Sequence, residues 1–187
     1  MRMIMKMLQR RTALRSFERI VAVAGLALSL PGSPGFAGEP IKPPPVIAVF
    51  AFELDDESPA AALQNLATTT AAAMDKVNNG ARLELAQSGK YSVIDASNTD
   101  MNSVKDKSFQ SCDGCEAGIA LKLGADQSLI GVVKRATQTD YYMWIQIRDA
   151  RTGKILDQQA ANFAGGEEGW GTGVRMLIKH QIIANQD

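Results

Sequence analysis

Cys112 and Cys115 are the chain's only cysteines, set as Cys112-Asp113-Gly114-Cys115 at the start of a segment with helical spacing. In an exported protein an even pair most simply forms a disulfide. The alternative is a thiol–disulfide redox site, because a helix N-terminus favours the thiolate. Such sites in thioredoxin-like folds face a cis-proline from later in the chain, and no proline follows Pro59 here. A zinc site would need about two further ligands, yet the single histidine, His180, stands far away in sequence. Attachment of a c-type haem would need histidine where Glu116 stands. The pair is therefore read as a structural disulfide, with redox chemistry as the alternative.

Other groups offer less. His180 falls in the last turn of the final expected helix, where partial positive charge suits the helix dipole. The chain contains no Gly-x-Ser-x-Gly elbow around which a serine nucleophile could be built. Gly165, Gly166, Gly169, Gly171 and Gly173 lead into that helix, but neither a Walker lysine nor a further strand with an acidic residue follows, so they read as a turn anchored by Trp170. Asp55, Asp56 and Glu57, like Glu167 and Glu168, are each expected to precede a helix, where negative charge is favoured anyway. No catalytic constellation and no cofactor or metal site emerges.

One strand carries a more specific pattern. Tyr142, Trp144, Gln146 and Arg148 alternate with Met143, Ile145 and Ile147, so the two sets lie on opposite faces. If the Met/Ile face meets the core, the aromatic face is either covered by a helix or free to bind, and Tyr, Trp and Arg are the residue types enriched at interface hot spots. The candidate partner surface is Tyr142, Trp144 and Arg148, with Asp55, Asp56 and Trp170.

The elements that must position these residues follow from periodicity. Residues 1–37 read as a cleavable leader: six basic side chains precede the apolar run Ile20 to Leu30, which is too short for the roughly 20 residues of a membrane span and stops at Pro31. Gly35-Phe36-Ala37 suits cleavage after Ala37, leaving a periplasmic or secreted chain without a transmembrane segment. Of 20 basic and 20 acidic residues the leader takes six and one, leaving 14 against 19. Mild acidity without a basic stripe argues against nucleic acid as a partner.

Residues 38–45 form a proline-rich linker, and 46–187 a single domain. Val46 to Phe52 reads as a doubly buried strand stopped by Asp55 to Ser58. A helix opens at Ser58-Pro59 with Leu63, Leu66, Thr70, Ala73, Met74 and Val77 at helical spacing, and Asn78-Asn79-Gly80 either ends or kinks it. Tyr91 to Ile94 is a second strand and Glu116 to Leu123 a second helix. Strands at about 127–135, 141–148 and 154–163 follow. A closing helix carries Trp170, Val174, Leu177, Ile178 and Ile182 on one stripe. The order β-α-β-α-β-β-β-α implies an α/β (α+β) fold, a mixed sheet of about five strands with helices packed on it.

Several segments together resemble a family of secreted proteobacterial proteins of unknown function (the family 3280 type). These are Ala48-Val49-Phe50-Ala51-Phe52-Glu53-Leu54-Asp55-Asp56, Ser88 to Asp95, Cys112-Asp113-Gly114-Cys115 with Leu123-Gly124-Ala125-Asp126, Arg148-Asp149 with Thr152-Gly153, and Glu168-Gly169-Trp170. The family usually has a basic residue shortly after its tryptophan, where this chain has Thr172. More distantly, the element order is similar to that of the amino-terminal domain of TolB and related envelope assembly modules. That resemblance implies a non-enzymatic module whose partner is another periplasmic or envelope protein. A thiol–disulfide protein or a periplasmic small-solute binder under the glycine-rich segment is the alternative.

Overall fold

The computed structural model describes residues 42–58, 67–104 and 107–186. The expected leader and its cleavage point, and the helix start at Pro59 with Leu63 and Leu66, lie outside the described residues.

The fold is a six-stranded mixed sheet with three helices packed on it. The strands are β1 (Val46–Val49), β2 (Glu53–Asp56), β3 (Ser92–Asp95), β4 (Gln127–Arg135), β5 (Asp140–Asp149) and β6 (Ile155–Ala164); the helices are α1 (Ala67–Gln87), α2 (Cys115–Lys122) and α3 (Trp170–Leu177). The sheet order is β3-β1-β4-β5-β6, with β2 alongside the far half of β4. β1 runs parallel to β3 and β4, whereas β4, β5 and β6 form an antiparallel meander. β4 is buried along nearly its whole length, as an almost unbroken apolar run at the sheet centre requires. Asn78-Asn79-Gly80 does not end α1, because Gly80 sits where α3 crosses: a Cβ there would lie 3.2 Å from the Gly171 carbonyl oxygen.

The apolar run Val46 to Phe52 is not one strand. Four residue steps separate Val49 from Glu53, but only three separate their β4 partners, Leu129 and Val132. The extra residue is a bulge at Phe50-Ala51, and it inverts the alternation. Ile47 and Val49 face α1 and α3, Phe50 turns to the opposite face, and Phe52 returns to the helix side. The Phe52 amide is satisfied by Asn78 Oδ1 of α1 at 2.8 Å. Asp55 and Asp56 therefore continue as strand β2 instead of stopping the run before a helix, because the bulge gives them a fresh register against Lys134 and Arg135.

Each sheet face covers one core. The larger, under α1 and α3, gathers Ile47, Val49, Phe52, Val77, Leu85, Leu129, Met143, Ile145 and Trp170. The smaller gathers Ala48, Phe50, Val104, Phe109, Ala120 and Ile130 beneath α2 and the segment leading to it. Phe50 and Phe109 hold that second face with rings 4.7 Å apart.

Gly131 of β4 lies under the Phe52 ring, and a Cβ there would overlap Phe52 Cε1. Phe52 is itself buried, so the ring has no easy escape. Gly131→Ala is expected to cost about 1–3 kcal/mol through overpacking, and Asn78→Ala about as much through the orphaned Phe52 amide. Urea unfolding checks both, and a loss below about 0.5 kcal/mol for each would mean that the bulge does not depend on them.

Candidate functional site

The two faces of β5 divide as the alternation requires. Tyr141, Met143, Ile145 and Ile147 join the core under α1 and α3. The opposite row, Tyr142, Trp144, Gln146 and Arg148, is covered at one end only. Gln146 is buried and Arg148 half-buried, and Arg148 reaches toward α2 and the β5–β6 turn, donating to the Gly153 carbonyl at 2.9 Å and to Gln146 Oε1 at 2.9 Å. Tyr142 and Trp144 are half-exposed, and Trp144 rests its inner edge on the smaller core.

Tyr142 and Trp144 form one wall of a groove of about 350 Å³, with Val132 at its base and Asp55, Lys134 and Gln110 around it. Register explains the assembly: Asp55 pairs with Lys134 across β2 and β4, and Lys134 with Tyr142 across β4 and β5. Lys134 Nζ lies 2.6 Å from Glu57 and 3.5 Å from Asp55. The hydrogen bond it donates to Glu57, reinforced by the charge of both carboxylates, raises its pKa above the usual lysine range. Asp55, Tyr142 and Trp144 are thus brought together. Lys134 and Gln110 complete the groove, though only the position of Lys134 at the end of an apolar strand could have marked it in the sequence.

Glu53, one strand step from Leu54 on the groove side, anchors the loop before α2. Its carboxylate accepts from the Phe109 amide at 2.5 Å, Ser108 Oγ at 2.8 Å and Gln110 Nε2 at 3.1 Å. The loop then turns through Asp113 (φ 48°) and Gly114 (φ 98°), both in the left-handed region, into the Cys112–Cys115 disulfide. Directly behind it lies Glu116, 1% exposed. Arg148 Nε lies 3.0 Å from Glu116 Oε1 but directs its hydrogen to Gln146, so the contact is one of charge, and Oε1 lacks a hydrogen-bond donor. Burial pushes the Glu116 carboxyl above its usual value of 4.5, opposed by its own backbone N–H and by Arg148 and assisted by Asp113.

Asp56 and Trp170 belong elsewhere. Trp170 is 1% exposed, so it is a core residue and not part of a partner surface. Its stripe with Val174, Leu177, Ile178 and Ile182 faces inward, and the ring meets Tyr141 at 5.8 Å. Asp56 faces the same side, where Arg135, 5% exposed in its side chain, ties the elements together. Its guanidinium contacts Asp56 at 3.4 Å, Thr70 Oγ1 at 3.1 Å and Glu167, and stacks 4.8 Å from the Trp170 ring centre. Glu167 thus accepts from an ionic knot and does not merely precede a helix; Thr70 Oγ1 also donates to it, at 2.6 Å. The glycines before and within α3 serve close approach: a Cβ on Gly171 would lie 3.1 Å from Lys76 Cβ, and one on Gly173 2.9 Å from the Tyr141 hydroxyl. A cleft of about 330 Å³ between α1 and α3 passes Gly80, Gly171 and Arg175. His180 is exposed on the π-helical stretch Ile178–Ile183 that prolongs α3. Among the described residues no helix is long and apolar enough to cross a membrane.

Residues 45–182 match the family model DUF3280, described as "Protein of unknown function (DUF2380)", and the chain belongs to that family. A search of the curated proteins finds no match. Among solved structures it is similar to the PelC dodecamer from Paraburkholderia phytofirmans (15% identity, 72% of this chain and 82% of that one, TM-score 0.46). It is also similar to TolB from Acinetobacter baumannii (16%, 74% and 28%, TM-score 0.42) and to the LpoB C-terminal domain from Escherichia coli (15%, 67% and 87%, TM-score 0.41).

Removing the Arg135 guanidinium would leave Asp56 and Glu167 facing each other without a cation. Arg135→Met is expected to cost about 3–5 kcal/mol in chemical unfolding, and adding Asp56→Asn with Glu167→Gln should return much of it. A second expectation concerns pH. Because the folded Glu116 carboxyl holds its proton more tightly than the unfolded one, the folded state binds more protons in the window from 4.5 up to its raised value. Its contribution is fully present below 4.5 and is lost as pH rises through that window. Wild-type stability measured against Glu116→Gln should therefore fall with rising pH there; a rise would contradict the burial argument.

Proposed function

We propose that this chain is a non-enzymatic accessory module of the cell envelope that binds another protein through the groove at Tyr142 and Trp144. The observation that carries the reading is the division of the β5 face: α2 and its preceding loop cover the Arg148 end, whereas two large aromatic side chains at the other end stay half-exposed over Val132. An aromatic pair on an apolar floor, rimmed by Lys134, Asp55 and Gln110, has the make-up of an interface hot spot, with polar groups placed to fix orientation. The reading of residues 1–37 as a leader, and the likeness to envelope assembly modules, support the compartment.

A photo-cross-linking residue placed at Tyr142, and separately at exposed Arg175 on α3, tests the reading in the native host. A discrete adduct is expected from position 142 alone, lost on Trp144→Ala or Lys134→Glu in protein whose melting temperature is unchanged. No adduct from position 142, or the same adducts from both positions, would count against the groove.

A further inference from the structure

We propose that the Cys112–Cys115 disulfide is a redox-active bond exchanging with a dithiol, with the buried Glu116 carboxyl giving Cys112 its proton on reduction and taking it back on oxidation. This goes beyond partner binding and does not depend on it.

The starting point is a carboxyl group that a purely structural disulfide leaves without purpose. Glu116 is 1% exposed, and its Oε1 has no hydrogen-bond donor. Its Oε2 lies 3.8 Å from Cys112 Sγ, within the reach of a sulfur hydrogen bond. A disulfide sulfur carries no hydrogen, so in the oxidised protein that approach supplies no donor. A thiol at the same place supplies one. The dithiol form therefore gives Oε2 a sulfur donor that the disulfide form withholds, while Oε1 keeps only the charge of Arg148 in either form, and a group interacting differently with two states biases the equilibrium between them. The charged groups facing Glu116 are Arg148 from β5, with Nε at 3.0 Å, and Asp113 from the turn. Arg148 favours loss of the proton and Asp113 opposes it, but burial is the largest influence and holds the carboxyl protonated further up the pH scale than an exposed glutamate.

The positions of the two sulfurs assign their parts. Cys112 Sγ is enclosed by the Phe109 carbonyl at 3.4 Å and by Glu116. Cys115 is the first residue of α2, where the helix N-terminus favours negative charge on sulfur. Both are half-buried, with exposed Ser111 and Asp113 beside them. A thiolate of the external dithiol attacks Cys115 Sγ; the Cys112–Cys115 bond breaks, and its electron pair goes to Cys112, which takes the Glu116 proton. The second thiol of the reductant, as thiolate, attacks the reductant's own sulfur in the mixed disulfide and releases Cys115 as a thiolate that is protonated from water. Glu116 regains its proton from solvent. Protein disulfide and dithiol become protein dithiol and the reductant's disulfide, with two electrons and two hydrogens moved.

The test uses the whole mature chain and dithiothreitol. Reduction is followed by alkylation and mass spectrometry under native conditions, and each rate is divided by the thiolate fraction of the reductant at that pH. The corrected wild-type rate is expected to fall as Glu116 loses its proton, and Glu116→Gln to be slower by about tenfold at the acid end and flat with pH. In glutathione buffers the same variant should need a more reducing mixture to open the bond. The wild-type profile alone decides the matter if the variant does not fold. A corrected rate independent of pH, or reduction that proceeds only as fast as the protein unfolds, would overturn the proposal.

Discussion

The single extra residue at Phe50-Ala51 sets the chemistry of both sheet faces. A strand continued in register from Val49 would carry Asp55 to the helix side and Asp56 to the open side, because each slip of one residue exchanges the faces. The bulge reverses this assignment, so Asp56 meets buried Arg135 under α1 and α3 while Asp55 meets Lys134 at the groove. It also turns Glu53 toward the loop before α2, where its carboxylate holds Ser108, Phe109 and Gln110. A distortion of this kind leaves an amide unpaired, and Asn78 in the middle of α1 supplies the acceptor. Asn78, unfavourable in a helix interior by propensity, is thus held by a neighbour in space, whereas Asn79 accepts from Arg82 of its own helix at 2.7 Å.

Two arginines then lock the layers from opposite sides. Arg135 gathers β2, α1 and the turn before α3 beneath the larger core, and Arg148 gathers α2 and the β5–β6 turn on the other face. The knots differ in balance. Arg135 is met by two carboxylates, a hydroxyl and an aromatic ring, so each partner of the guanidinium is a structural neighbour. Arg148 directs Nε to Gln146 and Nη1 to a backbone carbonyl and donates nothing to Glu116 Oε1, which receives only its charge. One carboxylate is consumed by structure; the other is held in place with an oxygen to spare.

Most of the architecture was legible because its causes are local. The alternation of β5 and the Trp170 to Ile182 stripe each state which side is buried, and the strand expected at about 127–135 is β4. The bulge was not legible: Val46 to Phe52 is apolar throughout, and such a run has no alternation whose reversal could show. The acidic cluster was misjudged for the same reason, since Asp55 and Asp56 look like a strand stop unless cations wait at Lys134 and Arg135 some 80 residues later. Trp170 was assigned both to the core stripe and to a partner surface, and only the crossing of α3 over Tyr141 decides for the core. In the sequence Glu116 is only the start of the second helix and the residue standing where a haem would need histidine; its burial depends on α2 lying against β4 beside Arg148 of β5, which no spacing encodes.

The open groove and the disulfide corner are neighbours through one short loop. Gln110 lines the groove and is held by Glu53, and two residues later Cys112 begins the disulfide. Glu53 in turn sits on the strand whose register the bulge fixes, opposite Val132 at the groove base. A ligand that pulled on Gln110 would thus load the same carboxylate that holds the Phe109 amide, and Phe109 both packs its ring at a tilt against Phe50 and places its carbonyl against Cys112 Sγ. The covering of one half of the sheet face and the exposure of the other thus meet at one short run of side chains, Glu53, Phe109 and Gln110, between the groove and the disulfide.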